Sequence, residues 1–283
     1  TGANTNDTLQ KLSELEAPKF AAQHDAIFLD SAMFKRIETI YNARDTMKLD
    51  PESRRLVEWD YQRFVHAGAR LSDADKARLQ ELNKEESSLS ATFTNRLLAA
   101  TKAGALVVDD SSKLAGFSAS AMQSSANAAT ARGLTGKWLV QLQNTTQQPS
   151  LLTLTDRATR EQLFNASWTR AEKGDSNDTR ETVSKLAHLR AQKAQLLGFP
   201  NYSAWVLEDQ MAKKPATVLK FVRDLVPAAT AKARAEGDVI QAMIRKDGET
   251  FQLEPWDWNH YADQVRKAQS DLDEIQLKPY FEL

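Results

Sequence analysis

The feature that most constrains the fold of this chain is a helix stop and restart near its centre, in the letters LGFPNY. Gly198 stands where a helix would end in the left-handed conformation, and Phe199 can fold back onto the last turn. Pro200 cannot continue the helix, and Asn201 is a favourable N-cap for a new one. The sequence therefore predicts two helices that meet at a sharp corner.

The outer ends of these two helices are also marked. Asp178 and Glu181 have the spacing of a capping box, which predicts the start of the first helix. The second helix should carry Tyr202, Trp205, Val206 and Met211. It should stop near Lys214, because Pro215 disfavours a helical residue before it and suits the first position of the next helix.

Helical spacing of apolar residues extends over most of the remaining chain. Asn6 or Asp7 should cap a first helix, which Pro18 should kink or split. Pro227 should kink the long helix that begins at Pro215. The other expected helices cover 27–41, the stretch from Asp50-Pro51 to Gly68, the stretch from Ser72 with Asp75 to about Thr101, 118–132, 157–171, and the stretch PWDWNHYADQVRK.

Two short runs rich in β-forming residues interrupt this pattern, near 105–109 and 138–142. We expect them to pair into a small sheet. The predicted fold class is therefore mainly α with a small β insert. The expected organisation is one helical region over 1–283, with a sub-boundary in 104–156.

Composition argues against several functional classes. The 37 basic and 38 acidic residues give a net charge of −1, which disfavours a nucleic-acid partner. No apolar run approaches the roughly 20 residues that a membrane helix needs, so no membrane partner is expected. The absence of cysteine excludes disulfides and thiol catalysis but leaves a cytoplasmic or a periplasmic setting open, the cytoplasm being favoured. Neither an initiator Met nor a signal peptide begins the sequence, and both ends are abrupt, so we expect a piece of a longer chain.

Reactive side chains are few and scattered. The four histidines form no HExxH pair, and GxGxxG and GxSxG motifs are absent. Asp257 and His260 lie three residues apart on an expected helix, so they can share one face as a ligand or proton-relay pair. Structural hydrogen bonding explains the same spacing. Tyr261 adjoins them, and the neighbouring tryptophans are typical of aromatics that anchor a helix on a core.

Several segments, in order along the chain, resemble the N-terminal half of the thimet oligopeptidase-like zinc peptidases. Within that family they resemble the bacterial peptidyl-dipeptidases, also called dipeptidyl carboxypeptidases. The segments are TNDTLQ (5–10), RLVEWDYQRFVHAGARL (55–71), NTTQQP (144–149), DRATREQLFNASWTRAEKGDSNDTR (156–180), LLGFPNYSAWVLEDQMAKKP (196–215), PWDWNHYADQVRK (255–267) and LKPYFEL (277–283).

The resemblance implies a neurolysin-like helical region that forms one wall of a channel for short peptides. It implies a whole enzyme that releases C-terminal dipeptides and binds zinc through an HExxH helix and a downstream Glu. Those zinc-binding elements do not occur in this chain, so no catalytic or metal-ligand residue is predicted in it. The chain alone should hold no zinc and be inactive, with the catalytic half as its partner. The channel candidates here are Asp257, His260 and Tyr261.

Two other functions fit parts of the sequence. The first is a helical interaction scaffold of tetratricopeptide type, which the Leu-Gly of the corner suggests. That motif needs Trp where Ala194 stands and Tyr where Asn201 stands, and no second repeat follows. The second is a self-contained enzyme that uses Asp257 and His260.

Overall fold

The computed structural model describes residues 5–143 and 148–270. The segment LKPYFEL and most of NTTQQP therefore lie outside the described residues. The described part contains eleven α-helices, one short 3-10 helix at Ser111–Leu114, and two strands, β1 (Leu106–Val108) and β2 (Trp138–Val140). The helices are α1 (Asp7–Phe28), α2 (Ser31–Ala43), α3 (Pro51–Ala67), α4 (Asp73–Ala103), α5 (Ala119–Thr130), α6 (Ser150–Thr153), α7 (Arg157–Trp168), α8 (Arg180–Leu196), α9 (Tyr202–Leu207), α10 (Pro215–Lys246) and α11 (Pro255–Ser270).

The mainly-α fold with a small β insert is thus confirmed. None of the helices in the described residues has the length and apolar character required to cross a bilayer. The chain divides into two compact units, both discontinuous in sequence. The first takes the described residues up to Arg96 together with Thr179–Phe221. The second takes Leu97–Asp178 and the described residues from Val222 onward.

The first unit has an aromatic core. Phe34, Tyr61 and Phe64 are buried, with Phe28 and Tyr41 packed against them. The rings of Tyr41 and Tyr61 stack with their centroids 3.7 Å apart. Because α2 and α3 both supply rings to this cluster, aromatic stacking and apolar burial together fix these helices against each other.

Side-chain caps position the helices of this unit as the sequence predicts. Asn6 caps α1 and Asp50 caps α3, where its carboxylate accepts a 2.8 Å hydrogen bond from the backbone N–H of Ser53. Ser72 and Asp75 form the expected reciprocal pair at the start of α4. These caps satisfy helix-end N–H groups that would otherwise lack partners.

The corner between α8 and α9 is confirmed. Gly198 has φ +83°, and the N–H of Phe199 donates to the carbonyl of Ala194 at 2.8 Å. The N–H of Gly198 donates to Gln195, which completes a Schellman motif. Asn201 then caps α9 by accepting a 2.9 Å hydrogen bond from the N–H of Ala204.

The outer boundaries of the two corner helices differ from the predictions. The N-cap of α8 is Thr179, and the carboxylate of Asp178 accepts a hydrogen bond from the N–H of Gly174 instead. α9 ends at Leu207, well before Lys214. Met211 is fully exposed, so no apolar face continues beyond Leu207 to hold a longer helix against the core.

The split at Pro18 and the single helix over 27–41 are wrong, while a kink at Pro18 stays a prediction. α1 is not split at Pro18; a proline removes one backbone hydrogen bond, and the helix continues through it to Phe28. The expected helix over 27–41 is interrupted, because Leu29 ends α1 and the side chain of Asp30 caps α2. The local capping preference of Asp30 therefore outweighs the apolar periodicity.

The second unit is built on the β insert. β1 and β2 pair antiparallel, with Val107 opposite Leu139. Behind the sheet lies a core in which Leu114, Leu154 and Leu163 are inaccessible to solvent. A second cluster joins Ile240 and Ile244 of α10 to Tyr261 of α11. α7 is close in space to both β1 and α11, and this places the residues described next.

Candidate functional site

Asp257, in the first turn of α11, lies at the centre of a buried ion-pair group in the second unit. It is wholly inaccessible to solvent. Arg157 reaches it through Nε at 3.1 Å and Nη2 at 2.9 Å, and Arg160 through Nη2 at 3.0 Å. The two arginines are one turn apart on α7, so both point at the same carboxylate. The hydrogen bond to Asp257 raises the pKa of Arg157.

His260 is partly buried and has partners at both ring nitrogens. Nδ1 lies 3.2 Å from the carbonyl oxygen of Leu152, and Nε2 lies 3.0 Å from the amide nitrogen of Gln264. Burial lowers the pKa of His260, and the charge of Arg160 adds to this effect. Both effects favour the neutral ring, and its partners are Leu152 and Gln264 rather than the Asp257 of the expected relay.

Tyr261 belongs to the core of the second unit. It packs on Ile240 and Ile244, and only 6% of its surface is accessible. Burial raises the pKa of its hydroxyl. The structure thus brings the three sequence candidates together on the first turns of α11, with Asp257 and Tyr261 facing inward and His260 half-buried. Their place in a substrate channel stays a prediction.

The first unit contains a feature that sequence reasoning missed, a cavity of about 920 Å³. Trp205 and His66 form one side of it. Their rings stack at 4.7 Å, the indole N–H donates to the carbonyl of His66, and His66 Nε2 lies 2.9 Å from the carbonyl of Trp205. This reciprocal contact fixes α9 on α3. No local pattern marks it, because the two residues are 139 positions apart.

The pKa values of two acidic side chains in the cavity wall are shifted in opposite directions. Burial raises the pKa of Asp25, although Asn83 donates a 2.8 Å hydrogen bond to it. Burial alone would raise the pKa of Glu86 as well. Hydrogen bonds from Arg190 and Lys193, together with their charges, lower it. The cavity therefore combines a buried carboxylate that resists ionisation with one whose charge is neutralised.

Zinc does not fit the described residues. A structural or catalytic zinc site needs at least three protein ligands converging on one point. Two His–carboxylate pairs occur, His24 with Asp25 and His66 with Glu208, each at 3.8 Å. Within residues 5–143 and 148–270 no group of three or more His, Cys, Asp or Glu side chains could hold a metal ion.

Comparison with known proteins gives the evolutionary relationship. Residues 150–283 match Peptidase family M3. This part of the chain is similar to the M3 peptidases. This match confirms the family resemblance found in the sequence. The similarity also extends to residues before 150, because two of the relatives described next match the whole of this chain.

The chain is 52% identical over all 283 of its residues to the dipeptidyl carboxypeptidase of Escherichia coli, and 50% identical to that of Salmonella typhimurium. It is also 27% identical over 278 residues to oligopeptidase A of Escherichia coli. The chain spans 42% of the length of each dipeptidyl carboxypeptidase and 40% of oligopeptidase A. The larger part of each relative therefore lies outside the matched region.

Proposed function

We propose that this chain is one part of a longer M3-type zinc peptidase, in a cytoplasmic or periplasmic setting, that releases dipeptides from the C-termini of short peptides. The observation that carries the proposal is the 52% identity to a dipeptidyl carboxypeptidase over the whole of this chain. Identity at that level over 283 residues implies the same fold, and the site chemistry has to be argued separately.

In this proposal the chain forms a wall of the substrate channel. The buried carboxylate of Asp257 holds α11 on α7 through Arg157 and Arg160, and Tyr261 anchors the same helix in the apolar core. His260 is the only partly buried member of the three, and a peptide would bind its Nε2 by taking the place of Gln264. Asp257 and Tyr261 would then act as positioning residues for α11.

The chain alone should be inactive. Hydrolysis of a peptide bond by a zinc enzyme needs a metal-bound water, and the described residues supply no ligand set for the metal. The zinc and the residues that activate water would come from the remaining polypeptide. This part contributes substrate positioning, which lowers the entropic cost of bringing the reactants together.

The test compares the isolated chain with the protein encoded by its full reading frame. Zinc content is measured by atomic emission, and dipeptide release is measured by mass spectrometry on an N-blocked tetrapeptide. We expect the longer protein to hold zinc and release a C-terminal dipeptide, and the isolated chain to do neither. Tight stoichiometric zinc or hydrolysis by the isolated chain would contradict the fragment account.

The same experiment separates this function from that of a helical interaction scaffold. A longer protein that holds no zinc, cleaves no peptide and co-purifies with a stoichiometric protein partner would favour the scaffold.

Replacement of His260 by Phe in the active longer protein tests the channel role. We expect KM for the peptide to rise while zinc content stays unchanged.

A further inference from the structure

α10 carries one apolar stripe along most of its length. Val222, Leu225, Val226, Ala229 and Ala233 follow each other at the three- and four-residue steps of a helix face. Ile240 lies 18 residues, or five full turns, after Val222, so it faces the same side. Ile244 follows one turn later. Between Ala233 and Ile240 the same face carries Glu236 and Gly237, so the stripe consists of an N-terminal and a C-terminal apolar part.

The C-terminal end of the stripe is buried in the second unit. Ile240 and Ile244 are 3% and 0% exposed and pack on Tyr261 of α11. Gly237 faces the same core, since a Cβ at that position would be in ordinary contact, at 3.6 Å, with the ring of Trp258. This face of α10 is therefore a core-packing face.

The N-terminal part of the same face is uncovered. Every residue from 222 to 236 is exposed, and Leu225 and Val226 each have about half of their surface accessible, at 51% and 52%. Single exposed apolar side chains are ordinary, but a continuous row that extends a core-packing face marks an interaction surface. We call the row formed by Val222, Leu225, Val226, Ala229 and Ala233 the open stripe.

We propose that the open stripe is the docking surface for the remaining polypeptide of the M3-type peptidase, and this inference rests on the function proposed above. The open stripe lies within the region that matches Peptidase family M3. Because the chain spans 42% of the length of its dipeptidyl carboxypeptidase relatives, more than half of such a protein is available to cover it.

The chemistry of the open stripe fits an apolar helix as the occupant. Its five side chains are all apolar, so a charged ligand or nucleic acid would gain nothing from them. Ala229 and Ala233 are small, which lets a second helix approach closely while Leu225 and Val226 fill the grooves on its surface. Burial of a continuous row of this kind is the main source of stability in helix–helix contacts.

The test uses thiol labelling, because the chain contains no cysteine of its own. Ala233→Cys places a thiol on the open stripe. Ala231→Cys is the matched control, because Ala231 is also exposed and lies about 200° away around the helix. Both variants are made in the isolated chain and in the full-reading-frame protein, and the rate of reaction with a maleimide is measured against the unsubstituted protein.

We expect equal rates in the isolated chain and, in the longer protein, a rate about tenfold or more slower for Ala233→Cys than for Ala231→Cys, since labelling follows exposure of the thiol. Equal rates in the longer protein would overturn the proposal. Protection of Ala233→Cys in the isolated chain, with a dimer in sedimentation, would assign the open stripe to a second copy instead. Protection in a longer protein that neither holds zinc nor cleaves peptides would refute the proposed function and leave the docking surface standing.

Discussion

Arg160 Nη2 and Asp257 Oδ1 are 3.0 Å apart in an ion pair whose side chains are 2% and 0% exposed. Arg157 donates to the same carboxylate from a side chain that is 33% exposed. One carboxylate thus joins an inner and an outer guanidinium from a single helix. Because both arginines come from α7, they offer a matched comparison of what burial contributes to an ion pair.

Arg160→Met should destabilise the fold more than Arg157→Met. Loss of the inner partner leaves a buried carboxylate half-compensated, which should cost about 3 kcal/mol. Loss of the outer partner leaves the same buried carboxylate with one arginine, but water can reach it where Arg157 is partly solvated, so this loss should be smaller, at about 1.5 kcal/mol. Urea denaturation of both variants at pH 7 gives the difference directly. Equal losses would show that burial does not set the strength of this contact.

Glu86→Gln and Asp25→Asn should shift stability in opposite directions at pH 7. The folded-state pKa of Glu86 lies below its ordinary value of 4.5, so its charge stabilises the fold at neutral pH and this is lost on acidification. Glu86→Gln should lower the free energy of unfolding by about 2 kcal/mol. Burial raises the pKa of Asp25 above 3.8, so its charge opposes folding at neutral pH, and Asp25→Asn should increase stability.

The difference in stability between each variant and the wild type should shrink as the pH falls through the folded-state pKa values of Glu86 and Asp25. The wild-type carboxyls then lose their charge. Thermal midpoints measured from neutral pH down to about pH 3 would follow this convergence. A difference for Glu86→Gln that stayed constant over this range would assign its effect to packing rather than to charge.

Gly198→Ala and Gly116→Ala test backbone conformation with and without a clash. Both glycines have positive φ, at +83° and +95°. A Cβ at Gly198 meets no atom within 4 Å, so only the left-handed conformation opposes it, at about 1 kcal/mol. A Cβ at Gly116 would lie 1.9 Å from the carbonyl oxygen of Thr153, so the loss there should be about 3 kcal/mol. Calorimetric unfolding of the two variants would measure the contrast.

The parts of the fold that the sequence predicts are those set by neighbouring residues. The corner follows from Gly198 and Asn201, and the start of α3 follows from Asp50, since a cap acts on N–H groups within three positions of itself. The end of α9 was missed because it depends on packing. Met211 fits the helical period, but nothing in the structure covers it.

In the candidate site, too, neighbouring residues predict part of the arrangement and distant residues decide the rest. Helical spacing placed Asp257 and His260 on a common face, but the nearest cations decide what Asp257 does, and they are 97 and 100 positions away in the chain. The cavity of the first unit was missed for the same reason. Asp25 and Asn83 are unremarkable in sequence, and their hydrogen bond joins α1 to α4 across 58 positions.

The separation between α7 and Asp257 has a consequence during protein synthesis. A ribosome that adds about 5–20 residues per second makes both arginines roughly 5–20 seconds before it makes their shared carboxylate. Throughout that interval the nascent chain carries two positive charges with their eventual counterion still untranslated. The inner arginine can therefore be enclosed only late, when the first turn of α11 has left the exit tunnel.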